Sequence, residues 1–71
     1  MDTIDFRLKD DFIPLIQLLK FTGHAESGAH ASDMVVNGEV FCNGVVETRK
    51  RYKVKQGDVI SSDYFTINII R

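Results

Sequence analysis

Two β-forming runs, Glu39-Val40-Phe41-Cys42 and Val45-Val46-Glu47, flank the dipeptide Asn43-Gly44. That dipeptide is favoured in type I′ turns, where both central residues need positive φ. A tight hairpin in the middle of only 71 residues constrains the chain more than any other feature. A chain of roughly 60–70 residues hides only about 60% of the surface its unfolded form exposes. The hairpin must therefore share one thin core with everything else, and the expectation is a single domain over residues 1–71.

The remaining segments read around that hairpin. Ile4, Phe6 and Leu8 alternate with Thr3, Asp5 and Arg7, the pattern of a half-buried strand ended by Lys9-Asp10-Asp11. Asp11 is the expected N-cap of a helix from Phe12 to about Phe21, with Pro14 in its first turn. Phe12, Leu15, Ile16 and Leu19 fall at i, i+3, i+4 and i+7 and form its buried stripe, broadened by Ile13 and Leu18. Gly23 is the stop. Ser27 caps a second helix from Gly28 to about Val36, facing the core through Ala31, Met34 and Val35 and ended by Asn37-Gly38.

After the hairpin, residues 48–52 read as an irregular basic stretch and Lys53-Val54-Lys55 as a brief strand. Gln56-Gly57-Asp58 turns into a strand at Val59-Ile60, and Tyr64 to Ile70 closes the chain. There Phe65, Ile67 and Ile69 alternate with Thr66 and Asn68, as in a strand at a sheet edge open to pairing. Two helices on one side of a small, mainly antiparallel sheet, in the order strand, helix, helix, short strands, is the economical way to bury these faces. The class is α+β. A monomer is the expected state.

Apolar runs of two or three residues exclude a membrane span. The lone Cys42 cannot staple a secreted fold, so a reducing cytoplasm is the expected setting. Cys42 shares a strand face with Val40 and reads as a small core residue. With His24 and His30 it falls short of a zinc set, and no metal or cofactor is expected. No nucleophile has a base and an orienting group nearby in sequence. His24, in the inter-helix loop, reads as a surface polar residue.

Charge is the informative quantity. Residues 1–47 hold three Lys/Arg against eight Asp/Glu, whereas residues 48–71 hold six against two. Such asymmetry points to a polyanion partner. Arg49, Lys50, Arg51, Lys53 and Lys55 crowd into seven residues with Tyr52 among them. Basic side chains hold phosphates and an aromatic ring can stack on an unpaired base. Tyr52 serves equally as an anchor to the core, and Phe41 packs or stacks on the hairpin's other face. Ser27-Gly28-Ala29 offers helix N-terminal N–H groups to an anion, and Lys20 joins them if the fold brings it beside Ser27.

Taken together, several segments resemble the alpha-L RNA-binding domain, named after the fourth protein of the small ribosomal subunit. They are Leu18-Leu19-Lys20, Ser27-Gly28-Ala29-His30-Ala31, Asn37-Gly38-Glu39-Val40, Asn43-Gly44, Val46-Glu47-Thr48-Arg49-Lys50-Arg51 and Gln56-Gly57-Asp58-Val59-Ile60. Among its members the small stand-alone bacterial YbcJ-like proteins are the most similar, and the likeness runs from about Phe12 to Ile60. It implies two helices on a short-stranded sheet and RNA binding without catalysis. It places the RNA-facing surface on the start of the second helix, the hairpin and the basic loop. Lys20, Ser27, Gly28, Arg49, Lys50, Arg51 and Lys53 match polar or basic family positions.

The chain departs from the family at Ser32, where a Lys or Arg is common, at Gly28-Ala29 in place of Gly-Gly, and at Val45 in place of an acid. These departures shift the expected contacts toward residues 49–55. The resulting expectation is a non-catalytic protein that binds structured, ribosomal-type RNA through Arg49, Lys50, Arg51, Lys53, Lys55 and Lys20. Ser27-Gly28 would cradle a phosphate and His30 would touch sugar or base. The alternative is a protein-interaction module that docks its basic patch on an acidic or ribosome-associated partner. A ubiquitin-like carrier, which needs a terminal Gly-Gly, does not fit Ile69-Ile70-Arg71.

Overall fold

Asn43 and Gly44 take φ of 54° and 85°, the positive values the hairpin turn requires. Around them the computed structural model, which describes residues 2–71, builds seven strands and two helices. In chain order these are β1 (Asp2–Arg7), β2 (Ile13–Pro14), α1 (Leu15–Phe21), α2 (Gly28–Val36), β3 (Phe41–Cys42), β4 (Val45–Val46), β5 (Lys53–Val54), β6 (Val59–Ser61) and β7 (Phe65–Ile70). Five strands form a sheet in the order β1-β7-β6-β3-β4, and β2 with β5 forms a separate two-stranded ladder. The class is α+β, with every strand pair antiparallel except β1 with β7.

The first helix starts later than its periodicity suggests. Asp11 does not cap it; the residue before its first turn is Pro14, with φ −60° and ψ 139° and no side-chain cap. The reason is local. A residue that precedes proline is pushed toward extended backbone, so Ile13 pairs with Val54 and Pro14 with Lys53. The Leu15 amide then donates to the Tyr52 carbonyl at 2.9 Å. Leu15, Leu18 and Leu19 still form the buried stripe, but Phe12 is left outside it and 39% exposed. The second helix follows the sequence pattern. The Ser27 hydroxyl accepts from the His30 amide, and Ala31, Met34 and Val35 are buried.

The last strand lies inside the sheet rather than at its edge, which corrects the sequence expectation for residues 64–70. Strand β1 pairs with it in parallel, Ile4 opposite Ile67 and Phe6 opposite Ile69, while β6 covers its other side. Phe65, Ile67 and Ile69 are buried accordingly. They join Leu15, Leu18, Leu19, Val35, Val40, Val54 and Ile60 in one core. His24 is not the surface residue its loop position suggests. The amides of His24 and Ala25 both donate to the Leu19 carbonyl, which turns the chain inward after α1. The His24 ring stacks on Phe65 with centroids 4.1 Å apart, and its Nε2 is enclosed without a hydrogen-bond partner.

Two carboxylates organise the irregular stretch between β4 and β6. Asp58 accepts from Asn43 Nδ2 (3.2 Å), the Tyr52 hydroxyl (3.1 Å) and the Lys55 amide (3.0 Å). It thereby links the hairpin tip, the basic stretch and the start of β6. Asn43 completes the link by accepting from the Val59 amide at 2.8 Å. Cys42 is buried, and that burial pushes its thiol upward. Interaction with Cys42, then burial, then Asp58, push the Tyr52 hydroxyl well above its usual range. Tyr52 is thus an anchor. Glu47, buried at the end of the hairpin, accepts from Arg49 Nε (2.9 Å), Arg49 Nη2 (3.0 Å) and the Arg49 amide (3.0 Å). The guanidinium hydrogen bonds hold the Glu47 carboxyl below the usual glutamate range.

Two outcomes follow from these ties. Asp58→Ala removes three hydrogen bonds at once and should cost about 2–4 kcal/mol in urea unfolding. That is a large share of the roughly 4–10 kcal/mol open to a chain of this size. A loss under about 1 kcal/mol would show that the links form without contributing to stability. For Glu47, whose folded pKa is lowered, the pair's contribution is present above the ordinary glutamate range and disappears as acid brings the pH down through the folded value. Thermal unfolding followed across acidic pH should therefore fall more steeply for the native protein than for Glu47→Gln. Parallel profiles would show that the pair adds nothing.

Candidate nucleic-acid interface

Helix α1 presents two stripes. Leu15, Leu18 and Leu19 point into the core, while Gln17, Lys20 and Phe21, also spaced i, i+3 and i+4, fall on another face. That second face borders a groove of about 520 Å³, lined also by Phe12, Pro14, Ile16, Gly28, Lys50, Arg51 and Lys53. The fold thus gathers a lysine from α1, the first residue of α2 and three cations of the basic stretch around one apolar floor. Lys20 reaches α2 at Gly28, where a Cβ would stand 4.0 Å from the Lys20 Cδ, an ordinary packing distance.

A second depression, about 390 Å³, continues the surface and is lined by Arg49, Arg51, Tyr52, Lys53 and Lys55. Arg51 and Lys53 belong to both, so the two form one basic strip. No acidic residue lines either depression. Among the described residues Lys20, Lys50, Arg51, Lys53 and Lys55 have no carboxylate within ion-pair distance. Four side chains of like charge around an unneutralised groove raise the local potential and favour an anion there.

The remaining residues named from the sequence are placed differently. Arg49 is bound to Glu47 and lies over the Tyr52 ring, 5.2 Å from its centroid, although its side chain is 73% exposed. Its guanidinium keeps one face to solvent but is already oriented by the fold. Ser27 and His30 line neither depression. Both are engaged in ending the loop before α2: Ser27 accepts from the His30 amide, and His30 Nδ1 accepts from the Glu26 amide at 3.0 Å. The N–H groups of Gly28 and Ala29 precede the first intrahelical bond, which runs from Ala31 to Ser27. Of the two residues, Gly28 lines the groove.

Of the aromatic candidates, Tyr52 is half-buried against the core and held by Asp58, and Phe41 is half-buried in β3 between β4 and β6. Although Tyr52 lines the second depression, neither ring lines the groove. The rings that do line it, Phe12 and Phe21, were not singled out by the sequence pattern. Phe12 belongs to the buried stripe only if the helix starts at residue 12, and it starts at Leu15. A signal for Phe21 was present, since it lies off that stripe and is a large apolar residue with nothing to cover it. Among the described residues no cluster of His, Cys, Asp and Glu could hold a metal. Among the same residues no helix is long and apolar enough to cross a membrane.

Comparison with known proteins agrees with this architecture. The family model described as the S4 domain matches residues 6–70. YbcJ of Escherichia coli (strain K12) is 37% identical over 62 residues, which cover 87% of this chain and 89% of that protein. YbcJ of Shigella flexneri matches to the same extent. The solution structure of YbcJ from E. coli, described as revealing an alpha-L motif involved in RNA-binding, superposes with a TM-score of 0.70 at 35% identity. That superposition covers 100% of this chain and 89% of that one. With a family model spanning nearly its whole length and relatives at this identity over most of both chains, this protein belongs to the S4 domain family.

Proposed function

We propose that the chain is a non-catalytic RNA-binding domain, with residues 1–71 acting as one unit. The observation that carries this reading is the basic strip: Lys20, Lys50, Arg51 and Lys53 around one groove, without acidic lining, on a chain whose net charge is −1. A chain of near-zero net charge has no solubility reason to concentrate cations in one place. The alpha-L motif of the E. coli YbcJ structure, described as involved in RNA-binding, supports the same reading.

In this reading Lys20, Lys50, Arg51 and Lys53 hold phosphates, and the N–H groups at Gly28 meet one of them. Lys55 and the solvent face of Arg49 extend the contact along the second depression. Ser27 and His30 hold the start of α2 in position beside it. Structured RNA of the ribosomal type is the favoured ligand, because a rigid surface built on core-anchored elements suits recognition by shape. Neither helix presents a row of base-reading side chains for the DNA major groove. The single buried thiol suits a reducing cytoplasm.

The test is a fluorescence-polarisation titration with a labelled, folded RNA across a salt series. Neutralising about four phosphates predicts a fall in affinity of roughly 50–150-fold between about 50 and 200 mM salt. Lys50→Glu with Arg51→Glu should abolish measurable binding while unfolding free energy shifts by no more than about 0.5 kcal/mol, since both side chains are exposed and unpaired. A flat salt response would refute the reading. A ribonuclease-resistant pull-down would then assign the strip to an acidic protein partner instead.

A further inference from the structure

Phe21 is 64% exposed at the last position of α1, immediately after Lys20. A ring that open loses the favourable transfer its burial would bring, and no neighbouring segment covers it. It stands where two depressions meet. One is the basic groove with Lys20, Lys50, Arg51 and Lys53. The other, about 630 Å³, is lined also by Phe6, Arg7, Leu8, Lys9 and Asp10, so its one carboxylate lies outside the basic groove. Phe12 lines both as well, but the Lys53 ammonium lies 5.0 Å over its ring centroid, so one of its faces is already taken. Tyr52, in the second depression, carries Arg49 over its ring and is held by Asp58. Phe21 is therefore the most exposed of the three rings beside the cations.

The combination selects its occupant. A nonpolar protein segment would use the ring but gains nothing from four unpaired cations beside it. A continuous duplex would use the cations but keeps its bases stacked on one another and away from the ring. An unpaired nucleotide uses both, with its phosphate on the cations and its base against the ring, because every base offers a π face. We infer that Phe21 is a stacking platform for one unpaired base, so that the preferred RNA is a helix interrupted by a bulged or looped-out nucleotide. This inference rests on the RNA-binding reading and narrows it.

Two labelled, blunt-ended RNA duplexes of equal length, each annealed from two strands, one fully paired and one carrying a single-nucleotide bulge, distinguish the two levels. The native protein should bind the bulged duplex about 5- to 150-fold more tightly, the range for one base–aromatic stack. Phe21→Ala should erase that preference, bringing affinity for the bulged duplex down to that for the paired one, while Phe21→Tyr should keep it. Because the ring is exposed, the circular dichroism of both variants should match the native protein. Equal binding of the two RNAs, or a preference that survives Phe21→Ala, overturns the stacking inference alone. Failure of both RNAs to bind overturns the RNA-binding reading and the inference with it.

Discussion

The Asp58 carboxylate holds together parts of the chain that have little regular structure of their own. Strands β3, β4 and β5 are two residues long each, too short to define a surface by ladder hydrogen bonds alone. One acceptor group reaches the hairpin tip through Asn43, the basic stretch through Tyr52 and the following turn through Lys55. Charge-assisted bonds of this kind are stronger than neutral ones. They convert residues 48–52, which carry no helix or strand, into a defined scaffold for Lys50 and Arg51. Glu47 does the same for Arg49 from the other side, at the cost of occupying its hydrogen-bonding edge.

This arrangement separates two kinds of cation within one sequence run. Arg49 is structural first, because its removal would strand a buried carboxylate. Lys50 and Arg51, its immediate neighbours, have no such duty among the described residues. The acids that balance the chain's charge lie elsewhere, mostly before residue 48. The molecule therefore carries a marked separation of charge despite a net value near zero, which turns its basic face toward an approaching polyanion before contact.

Local patterns were legible in the sequence; the long-range ones were not. The Asn43-Gly44 turn, the Ser27 cap and the alternation of Phe65, Ile67 and Ile69 each follow from preferences of adjacent residues, and each stands in the structure. The start of α1 is not legible because a helical stripe can be counted from Phe12, whereas the partner that holds Ile13 extended, Val54, lies forty-one residues away along the chain. The β1–β7 pairing was equally hidden. For the site, residues 49–55 announced themselves by crowding. Lys20 and Phe21 joined only through packing of α1 beside Gly28. Nothing short of coordinates could show that Arg49 spends its donors on Glu47.

The pairing of β1 with β7 places the strand made last between two strands made earlier. During synthesis neither β1 nor β6 can find that partner until residues 65–70 leave the ribosome, because the sheet closes by insertion of β7 between them rather than by adding an outer strand. Contacts of such wide sequence separation are entropically slow to form. A nascent or shortened chain keeps two unpaired strand edges and the apolar faces of Ile4, Phe6 and Ile60 open to wrong partners. The six residues of β7 thus give both neighbouring strands their shared partner in the sheet.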